Sequence, residues 1–225
     1  MSVLVTGGAG YIGSHTVRAL RDSGQQVVVL DSMEYGNAPA IVGTPLVVGD
    51  IADRELVART IVEHSIDSIV HFAAYKNVGE SMHSPAKYFD NNVAKTAALL
   101  DVAQTNGVQS FVFSSSCSVY GTPEVVPVDE SAAIGPESTY AATKAICEEM
   151  LKWYSVVHGL RFASLRYFNA AGAAMDGSIG EDWAQSQNLI PVVMKALLGF
   201  APAIKVFGDD YPTPDGTCIR DYIHV

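Results

Sequence analysis

The sequence predicts a doubly wound α/β fold built on a parallel sheet. Short, nearly continuous apolar runs rich in β-branched residues alternate with longer helical patterns over the first two-thirds of the chain. That alternation indicates parallel strands covered on both faces. A glycine-rich turn directly follows the first run, and in such folds ligands bind at the carboxyl ends of the strands.

The candidate strands are residues 3–6, 26–30, 45–48, 68–72, 110–114 and 161–166, and the candidate helices are 13–23, 53–64, 85–106 and 138–158. Beyond Asn169 the pattern changes. Residues 170–185 read as a connecting loop, 188–198 as a helix and 204–207 as a short strand. Residues 208–217 read as a Gly/Pro/Asp-rich loop, and the chain stops inside a strand at 219–225. The expected division is a first domain over 1–169 and an incomplete second domain over 170–225, with its last strand free to return to the main sheet. Ending inside an element, without a polar tail or a cap, leads us to expect the front part of a longer protein.

Fourteen basic against 24 acidic residues leave a net charge of −10. Partners that need concentrated positive charge, nucleic acid and anionic membranes, are therefore not expected. Cys117, Cys147 and Cys218 are odd in number and widely spaced, which fits reduced thiols and no zinc site. The start shows neither a basic region nor a long apolar segment, so the expected compartment is the cytoplasm.

Gly7-Gly8-Ala9-Gly10-Tyr11-Ile12-Gly13 follows the first strand and opens a helix. Glycines at 7, 10 and 13 let the backbone approach a pyrophosphate, and the helix N-terminus favours its charge. Asp31 lies 18 residues after Gly13, at the end of the second strand. An acid there accepts from ribose hydroxyls and favours NAD over a 2′-phosphorylated cofactor. Asp50-Ile51, after the third strand, is a place for the adenine, although Asp50 equally suits a helix start. Tyr140 and Lys144 are four apart on a helix, so they share a face. A nearby ammonium and an oxidised nicotinamide would favour the phenolate, and a shift of roughly 3 units corresponds to about 4 kcal/mol. Ser114-Ser115-Ser116 ends the fifth strand, where a serine can bind the substrate oxygen.

The glycine turn together with Tyr140-x-x-x-Lys144 resembles the extended short-chain dehydrogenase/reductase family. Closer resemblance is to the UDP-glucose 4-epimerases. It is carried by Thr6 to His15, by His71-Phe72-Ala73-Ala74-Tyr75-Lys76-Asn77-Val78-Gly79-Glu80-Ser81, by Tyr167-Phe168-Asn169, and by Asp209 to Thr213, Asp215 to Thr217 and Arg220 to Val225. That resemblance makes 1–169 an NAD-binding domain and 170–225 an incomplete substrate-binding domain, and it implies catalytic roles for Ser116, Tyr140 and Lys144. It implies NAD contacts from Tyr11, Ile12, Asp31, Asp50, Ile51, Phe72, Ala73, Lys76, Asn91, Tyr140, Lys144 and Phe168. It implies UDP-sugar contacts from Ser116, Tyr140, Asn169, Asn188 and Arg220, interconversion of UDP-galactose and UDP-glucose through a 4-keto sugar, and a homodimer. Two positions depart from the family: Ser32 stands where Asn is usual, and Ala74 where Gly is usual. A nucleotide-sugar 4,6-dehydratase would need acids where this chain has Cys117-Ser118. A UDP-pentose or UDP-uronate 4-epimerase, and a catalytically silent NAD-binding fragment, remain open alternatives.

Overall fold

The computed structural model describes residues 1–183, 186–206 and 208–225. They form two compact units, Met1–Tyr167 and Phe168–Val225.

Six parallel strands make the sheet of the first unit: β1 (Ser2–Thr6), β2 (Gln26–Asp31), β3 (Leu46–Val48), β4 (Ser68–His71), β5 (Ser110–Ser114) and β6 (Arg161–Leu165). Their order is β3-β2-β1-β4-β5-β6. β1 therefore lies between β2 and β4, and the chain crosses over at this point to build the other half of the sheet. Both faces are apolar, as the unbroken runs require. Val3, Val5, Val27 and Val29 point to one side with Val17 and Ile41. Leu4, Val28, Leu30, Ile69, Phe111 and Phe113 point to the other with Leu99, Leu100 and Leu151. Each such side chain removed from water contributes about 1.5–3 kcal/mol.

The crossovers are α1 (Tyr11–Asp22), α2 (Arg54–Glu63), α3 (Val78–His83), α4 (Pro85–Tyr88), α5 (Lys95–Thr105) and α6 (Thr139–His158). Local chemistry sets their ends. Asp53 caps α2 by accepting from Leu56 N–H, and Ser138 caps α6 by accepting from Ala141 N–H. Gly159 closes α6 in the left-handed region at φ 72°, where a side chain would be strained.

Two expectations change in this unit, and one helix is added. The helix expected over 85–106 contains a π-helical turn, Phe89–Ala94, between α4 and α5. The wider turn brings buried Asn92 inward, where it accepts from Tyr75 N–H at 2.9 Å and donates to Tyr75 O and Thr143 Oγ1. These bonds replace the regular ladder, which no periodicity of apolar residues records. The short α3, capped by Asn77, lies in a stretch to which the sequence pattern assigns no element. The fourth and sixth strands end one residue early, at His71 and Leu165.

The second unit contains β7 (Asn169–Ala171), α7 (Leu189–Leu197) and β8 (Tyr222–His224). The terminal strand pairs in parallel with β7 in a two-stranded sheet instead of joining the six-stranded one. β7 falls where a loop is expected from composition. Residues 204–206 carry no strand, and Phe207, like positions 184 and 185 of the expected loop, lies outside the described residues. Asp215 organises the 208–217 loop by accepting from Thr217 N–H, Thr217 Oγ1 and Thr213 Oγ1. Among the described residues, no helix is long and apolar enough to cross a membrane.

Candidate active site

The glycine turn connects β1 to α1 and is packed too closely for any side chain at three positions. A Cβ on Gly7, which has φ +69°, would lie 2.6 Å from Ala73 N. One on Gly8 would lie 2.9 Å from Val29, and one on Gly13 would lie 2.3 Å from Gly7 O. Gly10 is looser, with its nearest neighbour at 3.3 Å, and serves as the N-cap of α1 without a side-chain cap. Gly10 thus offers no capping side chain to the helix N-terminus, the end of a helix that favours an anion. Gly13→Ala is expected to destabilise the chain by about 1–3 kcal/mol, read from the urea midpoint, and to lower the NAD recovered with the purified protein.

Asp31 closes β2 and is buried. Its carboxylate accepts from Ala9 N–H at 3.0 Å and from Met33 N–H at 2.9 Å. These bonds fix it beside the turn with acceptor capacity left for a ribose hydroxyl. Asp50 accepts from Ala52 N–H and pairs with Lys95 at 2.6 Å. Burial acts to raise its carboxyl, but the Lys95 and Ala52 bonds hold it below the usual range. The cap of the following helix is Asp53, so Asp50 is not that cap. Ile51 is buried in the core. Phe72 and Ala73 leave β4 with both N–H groups donating to Thr6 O. Lys76 is exposed on the loop beyond, and Asn91 lies in the π-helical turn, donating to Asn92. An uncapped helix start, an acid at the end of β2 and a glycine cradle without room for Cβ atoms suit the pyrophosphate and adenosine of a dinucleotide.

The three candidate catalytic side chains converge at the carboxyl ends of β5 and β6. Ser116 caps a short 3₁₀ turn, Cys117–Tyr120, accepting from Ser118 N–H at 3.2 Å and Ser118 Oγ at 2.9 Å. Its hydroxyl also acts on the Tyr140 phenol through a hydrogen bond that favours the phenolate. Tyr140 lies in the first turn of α6, its N–H donating to Ser81 Oγ at 3.1 Å. One turn on, buried Lys144 donates to Ser114 O at 2.8 Å, and its Nζ lies 5.7 Å from the centre of the Tyr140 ring.

The electrostatics differ from expectation. Burial pushes Tyr140 up to about 12, and the Ser116 bond offsets only part of this. Burial likewise pulls Lys144 down to about 8. In a low-dielectric site desolvation disfavours the charged form of both groups. The Lys144 shift has a sign that can be measured. Its protonated form is disfavoured in the folded chain, so folding gains stability as pH rises from about 8 towards 10.5, where only the unfolded chain still binds the proton. Urea midpoints across that interval should rise in the parent chain and stay flatter in Lys144→Met.

Residues overlooked in the sequence hold this cluster in place. α6 presents Glu148 one turn beyond Lys144, and Glu148 is 4% exposed. It accepts from Ser115 Oγ and binds the Arg166 fork, with Nη2 at 2.6 Å and Nε at 2.9 Å. Arg166 also donates to Tyr120 Oη at 2.8 Å. Ser114 Oγ pairs with the Tyr167 hydroxyl. The Tyr140, Lys144, Glu148 spacing was the available signal, since all three fall on one helix face. At 71, a buried His links Thr6 Oγ1 at 2.6 Å and Thr96 Oγ1 at 3.0 Å, and burial keeps it neutral by lowering it to about 3.

The other candidate substrate residues, Asn169, Asn188 and Arg220, lie in the second unit. Asn169 starts β7 and donates to Asp221 O at 2.8 Å. Asn188 precedes α7, its amide donating to Glu181 Oε1 at 2.7 Å, and does not cap that helix. Arg220 Nε reaches the Cys218 sulfur at 3.4 Å. Phe168, at the start of this unit, is half-exposed.

A family model described as NAD dependent epimerase/dehydratase family matches residues 3–225. The chain belongs to the NAD-dependent epimerase/dehydratase family. A UDP-glucose 4-epimerase of Halalkalibacterium halodurans is 47% identical over 225 residues, spanning 100% of this chain and 67% of the relative. One from Rhizobium meliloti is 48% identical over 224 residues, spanning 100% and 68%. The crystal structure of UDP-glucose 4-epimerase from Brucella ovis in complex with NAD superimposes with a TM-score of 0.96 at 47% identity, over 99% of this chain and 69% of that one. The Bifidobacterium longum UDP-glucose 4-epimerase in complex with NAD+ and UDP gives 0.93 at 40%, over 100% and 70%. This epimerase/dehydratase chain therefore spans about two-thirds of the length of such relatives, and the Rossmann-type α/β architecture expected from its strand pattern is the fold of the family.

Proposed function

We propose that this chain is the NAD-binding and catalytic part of a UDP-glucose 4-epimerase, interconverting UDP-galactose and UDP-glucose. The observation that carries the reading is the convergence of Ser116, Tyr140 and Lys144 beside a glycine turn built for a pyrophosphate. Identity near 47% to UDP-glucose 4-epimerases over the whole chain supports the choice of substrate. NAD, when bound, would supply a hydride acceptor for C4 of the sugar and a donor for the return of hydride to the opposite face. In its phenolate form, which the Ser116 bond and the positive charge of bound NAD would favour against burial, Tyr140 accepts the proton of the 4-hydroxyl and gives it back, so the base is restored with each turnover. Ser116 donates to the same oxygen and steadies the 4-keto sugar. Lys144 supplies positive charge below the phenol and fixes the end of β5 through Ser114 O. Asp31, Asp50 and Ile51 would hold the adenosine, with Tyr11 and Ile12 at the pyrophosphate. Phe72, Ala73, Lys76, Asn91 and Phe168 would line the rest of the cofactor, and Asn169, Asn188 and Arg220 would take the UDP-sugar. A homodimer is part of this reading by analogy with the family.

Coupled detection of UDP-glucose formed from UDP-galactose tests it directly. Turnover together with NAD released on denaturation supports the epimerase. Bound NAD without turnover would make the chain a dinucleotide-binding unit whose chemistry needs more polypeptide. Turnover of UDP-pentose or UDP-uronate alone would change the sugar and leave the mechanism.

A further inference from the structure

The loop after β2 and the loop after β4 meet in front of the glycine turn. At its base the β2 loop is tied to that turn twice, by Asp31 accepting from Ala9 N–H and by Asn37 N–H donating to Ala9 O at 2.9 Å. Its tip carries Glu34 and Tyr35, both exposed. On the other side, the β4 loop leaves Gly7 so closely that no Cβ fits between them. Its Tyr75 hydroxyl donates to Glu34 Oε2 at 2.9 Å. Because β1 lies between β2 and β4, this bond crosses from one neighbour of the glycine turn to the other.

Tyr75 is held far more firmly than a loop residue outside the core requires. Asn92 binds both its backbone N–H and its carbonyl. Lys87 Nζ lies 4.3 Å above its ring, with Lys87 itself paired to Glu80 at 2.6 Å. Tyr35 and Tyr88 pack against the ring with centroids 6.3 and 5.9 Å away. Tyr88 in turn donates to Asn77 O and Glu80. A fixed post on one bank thus meets an exposed carboxylate on the other.

We propose that Glu34 and Tyr75 form a latch over the dinucleotide groove, retaining the pyrophosphate-bearing middle of NAD against the glycine turn. This rests on the NAD reading above. A dinucleotide reaching from Asp31 at β2 to Tyr140 beside β5 must pass the end of β1, and the Glu34–Tyr75 bond spans that point. Such a latch slows entry and exit alike, since both require the bond to open. A simple contact residue would slow exit alone.

Stopped-flow fluorescence with NADH tests this on the 225-residue chain after copurified nucleotide has been removed. Tyr75→Phe keeps the ring and its Lys87 and Tyr88 contacts but removes the hydroxyl. We expect both association and dissociation to accelerate by about five- to tenfold, the range of one ordinary intramolecular hydrogen bond. Glu34→Ala should match it, the double variant should add nothing further, and Glu34→Gln, which still accepts, should stay near the parent. Circular dichroism confirms that each variant is folded. Unchanged rates in Tyr75→Phe, or faster dissociation at unchanged association, would overturn the latch. Failure of the parent chain to bind NADH would overturn the cofactor reading itself.

Discussion

Tyr140→Phe is expected to lower formation of UDP-glucose from UDP-galactose by about two to four orders of magnitude, the usual contribution of a positioned acid–base group. Phe keeps the ring packed beside Lys144, so NAD recovered from the denatured variant should match the parent. A variant that loses NAD as well would mean that the phenol serves binding more than proton transfer. Alkaline unfolding provides a second readout. Burial raises the Tyr140 phenol from 10 to about 12, so the folded chain favours its neutral form. The stability tied to this group is present in full below pH 10 and falls as pH rises through about 12. The urea midpoint of Tyr140→Phe should decline less steeply across that window. Ser116→Ala should also impair turnover, through the hydroxyl that binds the reacting oxygen.

The second large effect is expected at the Glu148–Arg166 pair. Arg166→Met leaves a carboxylate nearly out of contact with water and without its fork, a change that costs about 3–5 kcal/mol. Chemical denaturation should register it as a lower midpoint with an unchanged slope. Combining it with Glu148→Leu should recover most of the loss, because no orphan charge then remains. Recovery of stability without recovery of turnover would place the pair in the support of Ser116, through Ser115. If Arg166→Met is as stable as the parent, the pair is not the clamp described here. Acid dependence follows from the same geometry. Burial acts to raise the Glu148 carboxyl, but Arg166 and Ser115 hold it below the usual carboxylate value. Its contribution is therefore complete above about pH 4.5 and is lost as pH falls through the lower folded value. Buried His71, lowered to about 3, works in the same direction. It must take up a proton on unfolding below pH 6.5, so both groups make the fold acid-labile.

Much of the molecule was legible in the chain itself. Apolar runs at 3–6, 26–30 and 110–114 could only be strands buried on both faces, because an exposed face would have imposed alternation. The glycines at 7, 10 and 13 marked the turn by their lack of Cβ, and Tyr140 with Lys144 declared a shared helix face by spacing alone. What the tertiary structure decided is of another kind. The π-helical turn at Phe89–Ala94 exists because Asn92 finds partners on Tyr75 and Thr143, far away in sequence. The pairing of Tyr222–His224 with Asn169–Ala171 joins two segments that were read as a strand and a loop. Local pattern records which residues seek burial, but not which distant group will satisfy a polar atom once it is buried. The same holds for charge. Lys144 and Tyr140 could be placed together from their spacing, while their protonation depends on how much water the packed strands and helices exclude.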